Sequence, residues 1–257
     1  MTLNIHSIAI FNDNYIWLIE QPTSKHLLIV DPGNAEQLMT IIAQQQFIPV
    51  AILITHACHD HIDGIKPLLK HYDIPVYGPT IENVPRMTHP LSARDHLNID
   101  TAFPAIRVLD VPGHTAGHIA YLMEDNLFCG DTLFGAGCGR LHNGTAAQLF
   151  QSLRQIATLP IQTKIYCAHE YTEANLRFAA TIEPHNTDIQ QRIKDTANIR
   201  QQDKASLPST LELELATNPF LRCHQADVVQ AVEQFSGKQL VTDVEVFTEL
   251  RLWKDQF

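Results

Sequence analysis

A chain of 257 residues can bury a substantial core, as one large domain or as a domain with an appendage. With 45% hydrophobic and 18% charged residues, it reads as globular rather than disordered. A formal charge of −10 argues against a general nucleic-acid binder, and no apolar run approaches the roughly 18 residues that a membrane span needs.

The first residues, Met1-Thr2-Leu3-Asn4-Ile5-His6, have neither a basic n-region nor a long apolar h-region, so export by a cleaved signal is not expected. The five cysteines, at 58, 129, 138, 167 and 223, are odd in number and scattered. That suits reduced thiols in a cytoplasmic protein better than a disulfide framework. Short strands are expected over Ser7-Phe11, Tyr15-Glu20 and His26-Val30, separated by Asn, Asp and Pro turn chemistry. Asp31-Pro32-Gly33 ends the third strand, and 35–46 carries the apolar spacing of an amphipathic helix. Val50-Ala51-Ile52-Leu53-Ile54 is β-branched and apolar, a buried strand. A helix over 65–72 follows, then strands near 75–77, 106–111, 119–124 and 127–129. A helical period runs over 145–159, and Ile165-Tyr166-Cys167 reads as the last strand. Beyond it the pattern is helical: a polar, exposed long helix over 186–204, a helix start at Pro208, and apolar residues at helical spacing over 226–235 and 242–253. A boundary is expected near 170, giving a domain over 1–170 and a helical one over 171–257. Hairpins mixed with helices suggest an α/β sandwich of mixed sheets rather than a doubly wound array.

The strand at 50–54 leads into Thr55-His56-Ala57-Cys58-His59-Asp60-His61. Three imidazoles, a thiol and a carboxylate crowd one loop, and these are the donors that Zn²⁺ and other borderline metals prefer. Downstream, His114 follows a strand and a Pro-Gly turn, Asp131 follows a strand and a glycine, and His169 follows the strand ending at Cys167. Taken singly each is an ordinary polar residue; as four donor loops at strand ends they can converge. Two metals need roughly seven protein donors and a shared water, and the count can be filled. His56, Cys58 or His59, and His114 make one site; Asp60, His61 and His169 make the other, with Asp131 placed to bridge. A hydroxide between two Lewis acids is a nucleophile at neutral pH, and the metals also stabilise the oxyanion of a tetrahedral intermediate. The implied chemistry is hydrolysis of an acyl or phosphoryl bond, with Asp60 and Asp131 as its carboxylates.

The order of these loops resembles that of the metallo-β-lactamase superfamily. More narrowly, the chain resembles the hydroxyacylglutathione hydrolase (glyoxalase II) family over nearly its whole length. The resemblance is carried by Asp31-Pro32-Gly33, Pro112-Gly113-His114-Thr115-Ala116-Gly117-His118, Gly130-Asp131-Thr132-Leu133-Phe134, Gly137-Cys138-Gly139-Arg140 and His169-Glu170-Tyr171-Thr172. Near the C-terminus come Asn218-Pro219-Phe220-Leu221-Arg222 and Lys254-Asp255-Gln256-Phe257. The resemblance implies an α/β fold, a four-layer αββα metallo-β-lactamase sandwich followed by a helical C-terminal domain that helps to bind substrate. It implies hydrolysis of S-(R)-lactoylglutathione to glutathione and D-lactate with two metal ions, Zn²⁺ first, Fe or Mn²⁺ being compatible at one site. The partner is then a small-molecule glutathione thioester, with no nucleic acid or membrane, and the protein is expected to be a monomer. By motif, Arg140, Tyr171, Arg251 and Lys254 would bind the glutathione moiety, whose carboxylates match forked Arg donors.

Three departures stand out. Cys58 occupies the family's second metal-loop histidine position, His142 stands at a substrate-binding position where a Tyr is common, and Asp63 and Ala168 replace glycines. At position 58 the thiolate takes the ligand place, or His59 swings in, or one metal is bound weakly or lost. Two other functions remain open: another superfamily enzyme, such as a lactonase, a β-lactamase or an iron-dependent persulfide dioxygenase, and a non-catalytic metal or thiol sensor built on Cys58. The segment 135–139 lacks the spacing of a dinucleotide loop.

Overall fold

The computed structural model describes residues 3–257; Met1 and Thr2, part of the N-terminal reading, lie outside the described residues. By packing, the chain forms two compact units. One comprises residues up to Asp110 with Gly117–Gly130, and the other Val111–Ala116 with Asp131–Phe257.

The first unit opens with β1 (Asn4–Ile10), β2 (Asn14–Glu20), β3 (His26–Val30), α1 (Glu36–Gln45) and β4 (Ile48–Leu53). Two single-turn helices follow, α2 (His59–Ile62) and α3 (Ile65–Leu68), then β5 (Val76–Pro79) and β6 (His89–Leu91). The six strands form one mixed sheet in sequence order, antiparallel from β1 to β3 and parallel from β3 to β6. The β3–β4 register shifts between Leu27, opposite Pro49, and Leu28, opposite Ala51. An irregularity at a proline is expected, because Pro49 has no N–H to give the ladder. Alternation sends Ile16, Leu18, Leu27, Ile29, Ile52 and Ile54 to one face, where they pack with Leu38 and Ile42 of α1 and Ile65 and Leu68 of α3. The intervening Trp17, Ile19, Leu28, Val30 and Leu53 are buried as well, so both faces of the sheet are covered. A second, antiparallel run of β7 (His96–Leu97), β8 (Ile106–Asp110), β9 (Ile119–Met123) and β10 (Asn126–Gly130) pairs in order. Tyr121 of β9 donates its hydroxyl to the Ile54 carbonyl at 2.7 Å, and Ile119 N–H donates to the Thr55 carbonyl at 3.0 Å. These bonds tie the second run to the end of β4, where the histidine loop begins. Burial holds the Tyr121 phenol well above its ordinary pKa, so it is a permanent donor.

The second unit contains the hairpin β11 (Leu133–Phe134) and β12 (Gly137–Cys138), α4 (Ala146–Ile156) and β13 (Lys164–Cys167). After these come α5 (Thr172–Ile182), α6 (Thr187–Arg200), β14 (Ser209–Thr210), α7 (Leu211–Thr217), a 3₁₀ turn at Pro219–Leu221, α8 (Ala226–Ser236) and α9 (Asp243–Gln256). Thr145 with Gln148, and Thr242 with Glu245, form reciprocal capping boxes that start α4 and α9. Phe150, Phe178, Phe220 and Phe247 are packed ring to ring in its core.

Most expected elements are present, and three readings of the C-terminal part are corrected. The region beyond 167 is not wholly helical, because Ser209–Thr210 pairs with Lys164–Ile165. Pro208 does not start a helix: α7 begins at Leu211, capped by the Thr210 hydroxyl. The long polar helix is not exposed all round. Arg192 is buried and binds Glu214, Thr217 and Ser209, a partnership that polar composition hides. The helix expected over 65–72 ends as a regular helix at Leu68. The expected boundary near 170 marks where long strands cease, whereas the compact units divide elsewhere. Among the described residues no disulfide joins the cysteines, and no helix is long and apolar enough to cross a membrane.

Gly33 allows the turn after β3 to pass beneath the histidine loop, since a Cβ there would stand 1.8 Å from the Asp60 carbonyl oxygen. That neighbour is backbone and cannot swing away. Gly33→Ala is expected to destabilise the protein by about 1–3 kcal/mol, read as a fall of about 2–10 °C in Tm.

Candidate functional site

Every donor loop read from the sequence follows a strand: β4 ends at Leu53, β8 at Asp110, β10 at Gly130 and β13 at Cys167. In the first unit, the buried Asp31 carboxylate organises the histidine loop. It accepts the Thr55 N–H at 2.8 Å, the Thr55 hydroxyl at 2.7 Å and His61 Nδ1 at 3.0 Å. Because the Thr55 hydroxyl proton goes to Asp31, Thr55 Oγ1 is left to accept from His56 Nδ1 at 3.1 Å. Both imidazoles thus carry their proton on Nδ1 and keep the Nε2 lone pair for other use. A ring nitrogen held by a carboxylate or hydroxyl while its opposite nitrogen faces a cation is the arrangement that orients metal-binding histidines. The rings of His56 and His61 lie 4.1 Å apart, and His118 stacks on His56 at 4.5 Å and 21°.

The rest of the loop is held as firmly. Asn14 donates to Asp60 Oδ2 at 2.7 Å, and the Ala57 N–H donates to the Glu82 carboxylate. Cys58 is half-buried and extended (φ −72°, ψ 146°), just before α2. His59 points away: its side chain is 92% exposed, with Nδ1 3.2 Å from Asp63 Oδ1.

In the second unit, His114 Nδ1 donates to the Arg140 carbonyl at 2.8 Å, which again leaves Nε2 with the lone pair. That Nε2 stands 3.6 Å from Asp131 Oδ2, while His169 Nε2 stands 3.3 Å from Asp131 Oδ1. One carboxylate therefore presents a different oxygen to each imidazole. His169 is stacked on Tyr171 at 4.8 Å and 10°, and Phe134 meets both rings edge-on. The donors, their tautomers and their supports fit divalent metal ions in both units.

Beside His114 and Asp131 the second unit has a cavity of about 560 Å³, lined also by Tyr171 and by four cations, Arg140, Arg177, Arg251 and Lys254. Burial, reinforced by the charges of Arg251, Arg177 and Arg140, lowers Lys254 to about 8. Its ammonium also sits 5.1 Å from the Phe178 ring and 5.2 Å from the Phe257 ring. Arg251 is buried; it donates to the Cys138 carbonyl at 3.1 Å and to Asp255 at 2.9 Å. His142 is exposed, with its ring 6.2 Å from that of His114, and it is not among the described residues lining the cavity.

Sequence reasoning did not assign functional roles to Asp31, Phe134, His118 or Arg177. The first three sit inside the quoted motifs, where a polar or aromatic residue beside a ligand loop is a usable signal. Arg177 has no local signal, since only the fold of α5 turns it toward the cavity.

The pattern described as the metallo-beta-lactamase superfamily matches residues 10–169, and the one described as hydroxyacylglutathione hydrolase C-terminus matches residues 170–257. A curated hydroxyacylglutathione hydrolase from Nitrosomonas europaea is 46% identical over 255 residues, covering 99% of this chain and 97% of its own. The crystal structure of the BLEG-1 B3 metallo-β-lactamase superposes with a TM-score of 0.64 at 25% identity, over 85% of this chain and 99% of its own. A protein solved in a di-iron-bound form superposes with a TM-score of 0.60 at 26% identity, over 85% of this chain and 100% of its own. The chain has the metallo-β-lactamase fold, whose family implies two metal ions, and it belongs to the hydroxyacylglutathione hydrolase family of enzymes.

Proposed function

We propose that this protein is a metal-dependent thioester hydrolase that cleaves S-(R)-lactoylglutathione to glutathione and D-lactate. Residues 1–170 would supply the metal donors and 171–257 would help to bind the thioester. The observation that carries this reading lies within the second unit: His114, whose Nε2 keeps the lone pair, and Asp131 line a cavity that four cations also line. Family membership names glutathione thioesters as the substrate class. In this reading His56, Cys58 and His114 would hold one ion and Asp60, His61 and His169 the other, with Asp131 shared between them. When bound, the two ions supply Lewis acidity to the thioester carbonyl and bring the pKa of water toward about 7.

The remaining roles belong to the chain. Asp31, Thr55 and the Arg140 carbonyl hold the Nδ1 protons of His61, His56 and His114, so these rings need no proton shift before reaction. Asn14 fixes Asp60. Arg140, Lys254 and Tyr171 reach the carboxylates and amide groups of glutathione, and Arg251 adds positive charge from a buried position. His142 would make at most a rim contact. The leaving group is a thiolate, whose conjugate acid has a pKa of about 8.5, so its departure needs no general acid. A thiolate ligand at 58 favours Zn²⁺, and five cysteines without a disulfide among the described residues suit a reducing cytoplasm.

The decisive experiment measures S-lactoylglutathione hydrolysis and metal content on one purified sample; two bound metals without hydrolysis would refute the reading. For position 58, Co²⁺-loaded protein should show sulfur-to-cobalt charge-transfer absorption that Cys58→Ser abolishes. Cys58→Ala should bind about one metal fewer, and His59→Ala should bind as the parent does. Unchanged metal in Cys58→Ala would exclude the thiolate ligand.

A pH prediction follows from Lys254. Its lowered pKa means that the ammonium is present below about 8 and lost above it, and with it one attraction for the substrate's carboxylates. KM should rise as pH passes from 7 to 9, with kcat changing less. Lys254→Gln should start from a higher KM and lose that part of the rise.

A further inference from the structure

The segment Asn218-Pro219-Phe220-Leu221-Arg222, conspicuous in the sequence, contributes no donor to the metals and only Phe220 beside a cation of the cavity. Its first residue and the helix before it act on the β11–β12 hairpin. That hairpin is tight: Leu133 pairs with Cys138 and Phe134 with Gly137, leaving Gly135 and Ala136 as the turn. Ala136 has φ +54°, a left-handed conformation that costs a non-glycine residue roughly 1–2 kcal/mol. Such conformations persist only where the surroundings impose them.

The surroundings here are buried side chains. Asn218 Nδ2 donates to the Gly137 carbonyl at 2.9 Å and, more weakly, to the Phe134 carbonyl at 3.3 Å. Glu214 accepts the Ala136 N–H at 2.8 Å and also receives Asn218 Nδ2 at 3.1 Å. Asn175 of α5 donates to the Gly135 carbonyl at 3.0 Å. Asn218 and Glu214 are fully buried and Asn175 is 6% exposed. Glu214 is itself neutralised by Arg192 and hydrogen-bonded by Ser209. The Ala136 N–H and the carbonyls of Phe134, Gly135 and Gly137 are thus taken by side chains from α5, α7 or the residue after α7. Gly135 and Gly137 complete the fit, since a Cβ at either would lie 2.4 Å from Thr172 Oγ1 or Asn175 Nδ2.

What the turn carries is Phe134. Its ring stands at 86° to His169 and 84° to Tyr171, while those two rings lie flat on each other. Phe134 flanks the stacked pair, with ring centroids 5.7 Å from His169 and 5.2 Å from Tyr171. The imidazole is thus packed by Tyr171 on one side and by Phe134 on another, and has little freedom to rotate away from Asp131. We propose that Asn218, supported by Glu214, is a positioning residue for the metal centre: it fixes the 134–137 turn and, through the Phe134 ring, sets the plane of His169. The proposal rests on the reading of His169 as a metal ligand. The helical C-terminal part of this chain then does more than bind glutathione, because it also holds the donor nearest to it in the sequence.

The test compares Zn²⁺ affinity, by competition with a chromophoric chelator, in the full-length parent, Asn218→Ala, Phe134→Leu and His169→Ala, with Tm recorded for each. Outer-shell losses typically weaken metal binding about 10–100-fold, so the low end, about tenfold, is expected for Asn218→Ala and Phe134→Leu at the tighter of their affected sites. kcat should fall more than KM rises. Phe134→Leu leaves the polar clamp intact and decides the matter if Asn218→Ala fails to fold. Weakened metal binding in His169→Ala with parental affinity and kcat in folded Asn218→Ala and Phe134→Leu would overturn the proposal while sparing the ligand reading. Parental affinity in His169→Ala would overturn the ligand reading itself.

Discussion

A metal ligand is useful only if its lone pair is aimed before the metal arrives, and in the first unit one carboxylate does the aiming. Asp31 takes three hydrogen bonds, two from Thr55 and one from His61, so its buried charge is compensated and its geometry fixed. The same bonds set the proton of His61 directly and that of His56 by way of the Thr55 hydroxyl. Asp31 itself has φ +52°, a left-handed conformation uncommon for a residue other than glycine and adopted most readily by Asn, Asp and His. The Asp31-Pro32-Gly33 turn is therefore built to bring a carboxylate behind the histidine loop, with Gly33 leaving room for the Asp60 carbonyl. Remove the carboxylate and the loop retains its donors but loses the reason for their tautomers.

The second unit solves a different electrostatic problem. Four cations around one cavity repel one another, and the consequence is visible in Lys254, whose charged form is disfavoured by burial and then by its arginine neighbours. Asp255 partly offsets them, binding Arg251 at 2.9 Å and approaching Arg140 at 3.9 Å, and Asp131 also lines the cavity. A cavity left this electropositive is unfavourable without an anion and favourable with one. A ligand with two carboxylates relieves the repulsion, so part of its binding free energy comes from strain already present in the protein. Lys254 is kept in place meanwhile by two aromatic faces rather than by a carboxylate. That leaves its charge for the ligand.

Legibility in the sequence followed locality. The strand before each donor was readable because apolar β-branched runs are local signals, and so were α1, α4, α8 and α9, whose apolar spacing is regular. The candidate donors His56, Asp60, His61, His114, Asp131 and His169 could be picked out because each is a metal-binding residue type placed after a strand. What escaped was non-local. Arg192 looked like one more charge on a solvated helix, and only the return of Glu214 from 22 residues away makes it a buried ion pair. Pro208 looked like a helix start because the pairing of Ser209 with Ile165 cannot be seen in a window of ten residues. Arg251, expected to bind substrate, does line the cavity, but its hydrogen bond to the carbonyl of Cys138, 113 positions earlier, could not be foreseen.

Cys58 joins these strands of reasoning. A cysteine side chain is shorter than a histidine's, while a Zn–S bond of about 2.3 Å is longer than a Zn–N bond of about 2.0–2.1 Å, so the longer bond recovers only part of the lost reach. The loop cannot simply slide to make up the rest. Glu82 holds the Ala57 N–H on one side, the His61 N–H is bound to the Cys58 carbonyl at 3.0 Å, and Asn14 pins Asp60 beyond it. The thiolate also brings a full negative charge where the family's histidine brings none, which tempers the ion's Lewis acidity while tightening its retention. Under the proposed ligand set, a thiolate at position 58 would thus exchange some polarising power at one ion for a firmer hold on it.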